Sequence, residues 1–149
     1  MPTLAGIVVH RQPTRTRSYR YQFTPKHHGA DAKAAQWLPS LSLEEEFGVF
    51  DEAVFRDIFD DDGRFYGVLQ SADGDLLDLG TWQQQMAEFP RANDGVPWHG
   101  YPIWAVNQEA PTNRSGSNVR PAKAVFATLE RAGLITVQQR KRLFKGKHA

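Results

Sequence analysis

The apolar residues of this 149-residue chain come in short runs, and the best of them, residues 4–9, is only a few residues long. A membrane-spanning helix needs roughly 20 consecutive apolar residues, so none is written here. The run at 4–9 has no basic residue before it and leads into arginines rather than a small-residue cleavage site, which makes it a poor signal peptide. Asn113-Arg114-Ser115 fits the glycosylation pattern, which matters only in a secreted chain.

Short runs do not mean little core. The chain is 40% hydrophobic with four Trp and nine Phe, enough large apolar surface to offset the entropy of ordering a compact fold. Chains split into separate domains only beyond roughly 250 residues, so one domain is expected. The absence of cysteine removes disulfides, thiolate zinc sites, iron–sulfur clusters and thiol nucleophiles together. It also fits a reducing compartment, and a cytoplasmic location is expected.

Turn and capping signals divide the chain. Residues 10–18 hold no apolar side chain, so residues 1–18 read as a flexible, solvated N-terminal arm ahead of a single domain over 19–149. Tyr19, Tyr21 and Phe23 alternate with polar residues as a strand does. Asp31 is placed to cap a short helix through Ala34, Ala35 and Leu38, and Ser42 with Glu45 forms a capping box for a second. Val54, Phe55, Ile58 and Phe59 put a third helix over 51–59.

The segments 64–70 and 76–79 flank Ser71-Ala72-Asp73-Gly74-Asp75, which predicts a hairpin at about 64–79. Thr81 is read as the cap of a helix carrying Trp82, Met86 and Phe89, and residues 101–106 as a strand that Pro102 places at an edge. Residues 107–120 read as a long polar loop. Ala122, Val125, Phe126, Leu129 and Ala132 then line one helix face, Gly133 ends that helix and Thr136 caps a last one containing Val137 and Phe144. The expected fold is α+β: a small antiparallel sheet covered by helices, with a C-terminal helical hairpin.

The formal net charge of +1 hides a segregation. Arginines and lysines dominate residues 11–33, acids dominate 44–62, and Arg140, Lys141, Arg142, Lys145 and Lys147 make the tail basic. Glu44, Glu45, Glu46, Asp60, Asp61 and Asp62 are candidates for a surface that binds a basic protein, since complementary charge speeds encounter and fixes partner choice. A helix's first turn and an acidic loop account for the same acids structurally. The basic tail is the alternative, contacting nucleic-acid phosphates without reading sequence. True helix-turn-helix spacing is absent, because Gln139 and Arg140 fall where the second helix needs an apolar contact. The modest pI of about 8.1 also argues against a dedicated nucleic-acid binder.

Metal and catalytic patterns are sparse. An EF-hand glycine stands sixth in its loop, and Gly63 would then put Ile58 first and Leu69 twelfth, while Gly74 would put Leu69 first and Gly80 last. No metal and no cofactor are expected. His27 and His28 would point to opposite sides of a strand. A hydrolase-like reading takes His99, in its Trp98 and Gly100 setting, as general base, with Asp78 or Glu109 to orient it and Arg114 or Arg120 to hold an anion. No nucleophile elbow, phosphate-binding glycine loop, zincin helix or dinucleotide fingerprint accompanies it. The reading favoured by sequence is therefore a non-catalytic intracellular binding domain with a protein partner.

Overall fold

The capping box at Ser42 and Glu45 opens the helix on which the rest is assembled. In the computed structural model, which describes residues 6–104 and 121–149, the Glu45 N–H donates to the Ser42 side chain at 3.0 Å and the Ser42 N–H to the Glu45 carboxylate at 2.9 Å. Helix α1 then runs over Leu43–Phe55. The second and third helices expected here are one, because Val49, Phe50, Ala53 and Val54 continue a single buried stripe across the supposed break. The helix stops where Asp57 turns left-handed, with φ 57°. The Ile58 N–H reaches back to the Ala53 carbonyl at 2.9 Å and the Asp57 N–H to that of Val54 at 3.2 Å, a Schellman cap.

Two antiparallel sheets flank this helix. β1 (Val8–Val9) pairs with β2 (Gln22–Phe23). β3 (Phe65–Gly67), β4 (Met86–Phe89) and β5 (Tyr101–Ile103) form a sheet in chain order, with Tyr66 opposite Glu88 and Glu88 opposite Tyr101. Pro102 lies on the edge strand β5, where its missing N–H costs least. The fold is the expected small α+β arrangement.

Two expected helices are corrected. Residues 86–89 form β4, and all four are buried because both sheet faces are covered, so Met86 and Phe89 mimic a helical spacing that does not exist. The left-handed Gln83 (φ 63°) turns the chain ahead of that strand. At 31–38 there is also no helix. The Asp31 side chain accepts from the Lys33 N–H at 3.0 Å, and the Gln36 amide donates to the Lys26 and Asp31 carbonyls at 2.9 and 2.6 Å, fixing an irregular turn instead. The turn over 71–75 is present, closed by a bridge between Gln70 and Leu76 and by the Leu77 N–H on the Leu69 carbonyl at 2.9 Å. The upstream run, however, takes β4 as its strand partner.

The C-terminal pair folds as its pattern predicts. α2 (Lys123–Arg131) and α3 (Val137–Phe144) are joined through Gly133 at φ 76°, and Thr136 and Gln139 form a second capping box. Phe126 and Phe144 meet edge to face at 5.7 Å. One continuous core joins Tyr21, Phe50 and Phe89 to Val125, Leu129 and Leu143. Among the described residues no helix is long and apolar enough to cross a membrane.

Residues 6–18 depart from the expectation of a solvated arm. β1 is paired, His10 is buried and stacks on Phe47 at 3.7 Å, and Thr14 is buried. With no apolar side chain between 10 and 18, the segment is held by charge rather than by a core of its own. Arg15 meets Asp51 at 2.5 Å and Glu52 at 2.9 Å, Arg17 meets Asp57 at 2.7 Å, and His10 meets Glu44 at 3.1 Å.

Two glycines separate close packing from helix propensity. A Cβ on Gly67 would stand 2.6 Å from Val49 Cγ1 and 2.9 Å from the Val49 carbonyl, whereas one on Gly48, in α1, would meet nothing within 4 Å. Gly67→Ala is expected to cost about 1–3 kcal/mol and Gly48→Ala to add about 0.5–1 kcal/mol. Urea unfolding midpoints of the two variants check both signs.

Candidate functional site

The acids singled out by sequence fall into two groups. Glu44 faces His10, and Glu45 is consumed by the capping box. Glu46 is not on the surface at all: it is 1% exposed. Its Oε2 accepts from the Tyr21 hydroxyl at 2.5 Å, and its Oε1 lies 2.8 Å from His28 Nε2, an electrostatic contact outside hydrogen-bond geometry. Burial raises the Glu46 pKa against the opposing pull of His28 and Tyr21. The expected Glu44 to Glu46 docking patch is corrected at Glu46, which is buried, while Glu44 and Glu45 remain exposed.

Asp60, Asp61 and Asp62 sit differently. The Asp60 carboxylate accepts from Arg64 Nε at 2.8 Å and from the Tyr66 hydroxyl at 3.0 Å. Burial alone would raise its pKa, but the hydrogen bonds from Arg64 and Tyr66 outweigh burial and lower it. Asp62 pairs with Arg64 at 2.9 Å. Asp61 is exposed and makes no ion pair among the described residues.

These three acids border a cleft of about 650 Å³ between residues 17–20, 59–63 and 91–98. Its floor is aromatic. Trp98 lies 5.0 Å from Tyr19 and 5.3 Å from Phe65, and Phe59, which is 43% exposed, meets Phe65 edge to face. Arg20 and Arg91 stand on the rim with Asp61 and Asp94, all exposed and none paired with an opposite charge among the described residues. A large concave surface with an apolar floor and a few converging polar groups is the usual form of a binding site. Sequence flagged Asp60 to Asp62 and the Trp98 setting separately; the wall at 91–96 went unread, although Asn93-Asp94-Gly95 is a turn signal.

The hydrolase-like constellation does not assemble among the described residues. His99 is half-buried, and burial together with Lys26 lowers its pKa. Asp78, offered as its orienting acid, instead contacts His148 at 2.6 Å. Glu109, Arg114 and Arg120 lie outside the described residues. No group of three metal-ligating side chains forms among those described.

A polar row on the three-stranded sheet escaped the sequence reading. Tyr66, Glu88 and Tyr101 are cross-strand neighbours, and the Tyr101 hydroxyl donates to Glu88 Oε1 at 3.1 Å while Oε2 has no partner. Burial first, and then the neighbouring carboxylates, raise the Tyr66 and Tyr101 pKa values, and burial raises that of Glu88. Residues so far apart in the chain carry no motif; only strand register brings them together.

The basic tail keeps most of its charge free. Arg140 pairs with Glu130, and Arg142 donates to the His148 carbonyl at 2.7 Å. Lys141, Lys145 and Lys147 are exposed and meet no carboxylate among the described residues. Gln139 donates to the Gly74 carbonyl at 2.8 Å, so the last helix is docked on the 71–75 turn by polar contacts at the position where a helix-turn-helix would need an apolar one. Comparison with protein-family models, with curated proteins and with solved structures finds no match to this chain.

His27 sets a pH dependence. Burial lowers its pKa to about 4, helped by Lys26, His99 and His28 and opposed by the 2.7 Å bond to the Ala35 carbonyl. Its unfolded value near 6.5 is higher, so its contribution is complete above that pH and is lost as pH falls toward 4, up to about 3 kcal/mol. The raised Glu46 and Glu88 act in the opposite direction, gaining as pH falls. His27→Gln should flatten the acid limb of stability between pH 6.5 and 4, measured by urea unfolding at stepped pH.

Proposed function

We propose that the protein is a binding domain whose aromatic cleft holds an extended segment of a partner protein. The segment presents an apolar anchor to the floor of Trp98, Phe65 and Phe59, flanked by charges of both signs. The observation that carries this reading is the rim: Asp61, Asp94, Arg20 and Arg91 have no opposite charge of their own among the described residues, around an apolar floor. Other charges of the cleft lining are neutralised, as Arg17 is by Asp57 and Asp60 by Arg64. Unpaired rim charges fix register and partner choice, while the apolar floor supplies affinity.

Val96, 51% exposed on the cleft wall, is the position for a photo-crosslinking side chain, with Asp73 on the distant turn as control. In the native host, one discrete adduct is expected at position 96 and none at 73. The purified partner should then bind at least tenfold more weakly to the double variant Asp61→Lys/Arg91→Glu, whose substitutions break no ion pair among the described residues. Equal adducts at both positions, no adduct, or unchanged affinity in the double variant would overturn the reading.

A further inference from the structure

The distribution of unpaired charge is uneven across the fold. Residues 121–149 carry Lys123, Arg131, Arg140, Lys141, Arg142, Lys145 and Lys147 against one acid, Glu130. Glu130 is spent on Arg140. Lys123, Arg131, Lys141, Lys145 and Lys147 are exposed and meet no carboxylate among the described residues. Outside the hairpin Arg15, Arg17, Arg56 and Arg64 each hold at least one acid, whereas Arg11, Arg20, Lys26, Lys33 and Arg91 meet no carboxylate among the described residues. What sets the hairpin apart is its balance: seven cations there face a single acid, which is already paired.

That hairpin also carries a shaped feature. A groove of about 310 Å³ runs between α2 and α3, with Phe126, Ala127 and Phe144 in its lining and Lys123, Arg131 and the Arg140–Glu130 pair around it. It is at the lower end of ligand-pocket sizes, room for one ring system rather than a chain. Phe144 is only partly buried, while Phe126 beneath it is 1% exposed and holds it edge to face. An aromatic side chain with cations on both sides is the pairing that single-stranded nucleic acid uses: bases stack on the ring and phosphates meet the cations.

We infer that the C-terminal hairpin binds single-stranded nucleic acid, with phosphates on Lys123, Arg131, Lys141, Lys145 and Lys147 and one base in the α2/α3 groove. A single strand fits better than a duplex. α2 and α3 lack helix-turn-helix spacing, and Asp73 and Asp75 on the turn against which α3 docks would repel a long stiff polyanion. A flexible strand follows the short basic face and leaves the acidic side clear. Recognition through phosphates and one stacked base is largely independent of sequence.

The test is fluorescence anisotropy of the full chain with labelled dT20 and U20 between 50 and 300 mM KCl. Five phosphate contacts predict a slope of log K against log salt of about −3.5 for a single strand, and each removed contact should reduce its magnitude by about 0.7. Lys141→Gln/Lys145→Gln and Lys123→Gln/Arg131→Gln should each reduce it by about 1.4. Phe144→Leu, which keeps the apolar contact with Phe126, should weaken binding with the slope unchanged, and its urea midpoint checks that the hairpin remains folded. Absence of binding at 50 mM salt, or slopes indifferent to both double variants, would overturn the inference. Competition by a polyglutamate peptide as strong as by unlabelled oligonucleotide would also overturn it, assigning the face to an acidic protein.

Discussion

Arg15 on Asp51 and Glu52, with Arg17 on Asp57 and His10 on Glu44, is the seam by which the N-terminal segment is laid along α1. Each such pair is worth little alone, about 0–1 kcal/mol at an exposed position. Together they are reinforced by the guanidinium of Arg15 over Phe55 at 4.2 Å and the ring of His10 on Phe47. The seam follows β1 and includes the left-handed turn at Arg17 and Ser18. It therefore builds one wall of the aromatic cleft, since that wall is the stretch between Arg17 and Arg20. It also absorbs acids that would otherwise stand unopposed on α1.

Beneath the seam, an aromatic core does the apolar work. Phe50 lies 5.1 Å from Tyr21 and 5.0 Å from Phe89, and Trp98 caps the same group at 5.7 Å. Close approach of α1 to the sheet depends on Gly67, and close approach of β5's leading turn depends on Gly100, where a Cβ would meet the Phe89 ring. Glu46 is carried into this region by the first turn of α1. It stays there because Tyr21 and His28 answer its carboxyl group, and burial shifts it toward the protonated form.

The local chemistry of the sequence carried further than its periodicity. Capping boxes at Ser42 and Thr136, the glycine turn at Gly133 and the edge position of Pro102 are decided by neighbouring residues, and all were legible. The helices read over 31–38 and 81–89 were not real, because a doubly covered strand and an irregular turn pack apolar residues at intervals that imitate a helix. Charge misled in a more instructive way. Basic and acidic blocks far apart along the chain suggest opposed surfaces, yet the fold lays His10, Arg15 and Arg17 against α1 and its end and buries Glu46. By sequence, Asp60 to Asp62 read as part of a protein-binding surface; the cleft they line needs Trp98 and residues 91–96, which only the tertiary fold supplies.

Internal neutralisation of the acidic side is the central claim, because it decides which charges remain for partners. Carboxyl-carbon NMR titration of the folded protein reads it directly. Burial would raise Glu52, but hydrogen bonds from Arg15 and Arg56 outweigh it, so Glu52 should titrate below the ordinary glutamate range, as Asp60 should below that of aspartate. Glu46 and Glu88 should titrate above the ordinary glutamate range. In Arg15→Gln, Glu52 should move back upward. Ordinary values for Glu52 and Asp60, with no response of Glu52 to the loss of Arg15, would contradict the account.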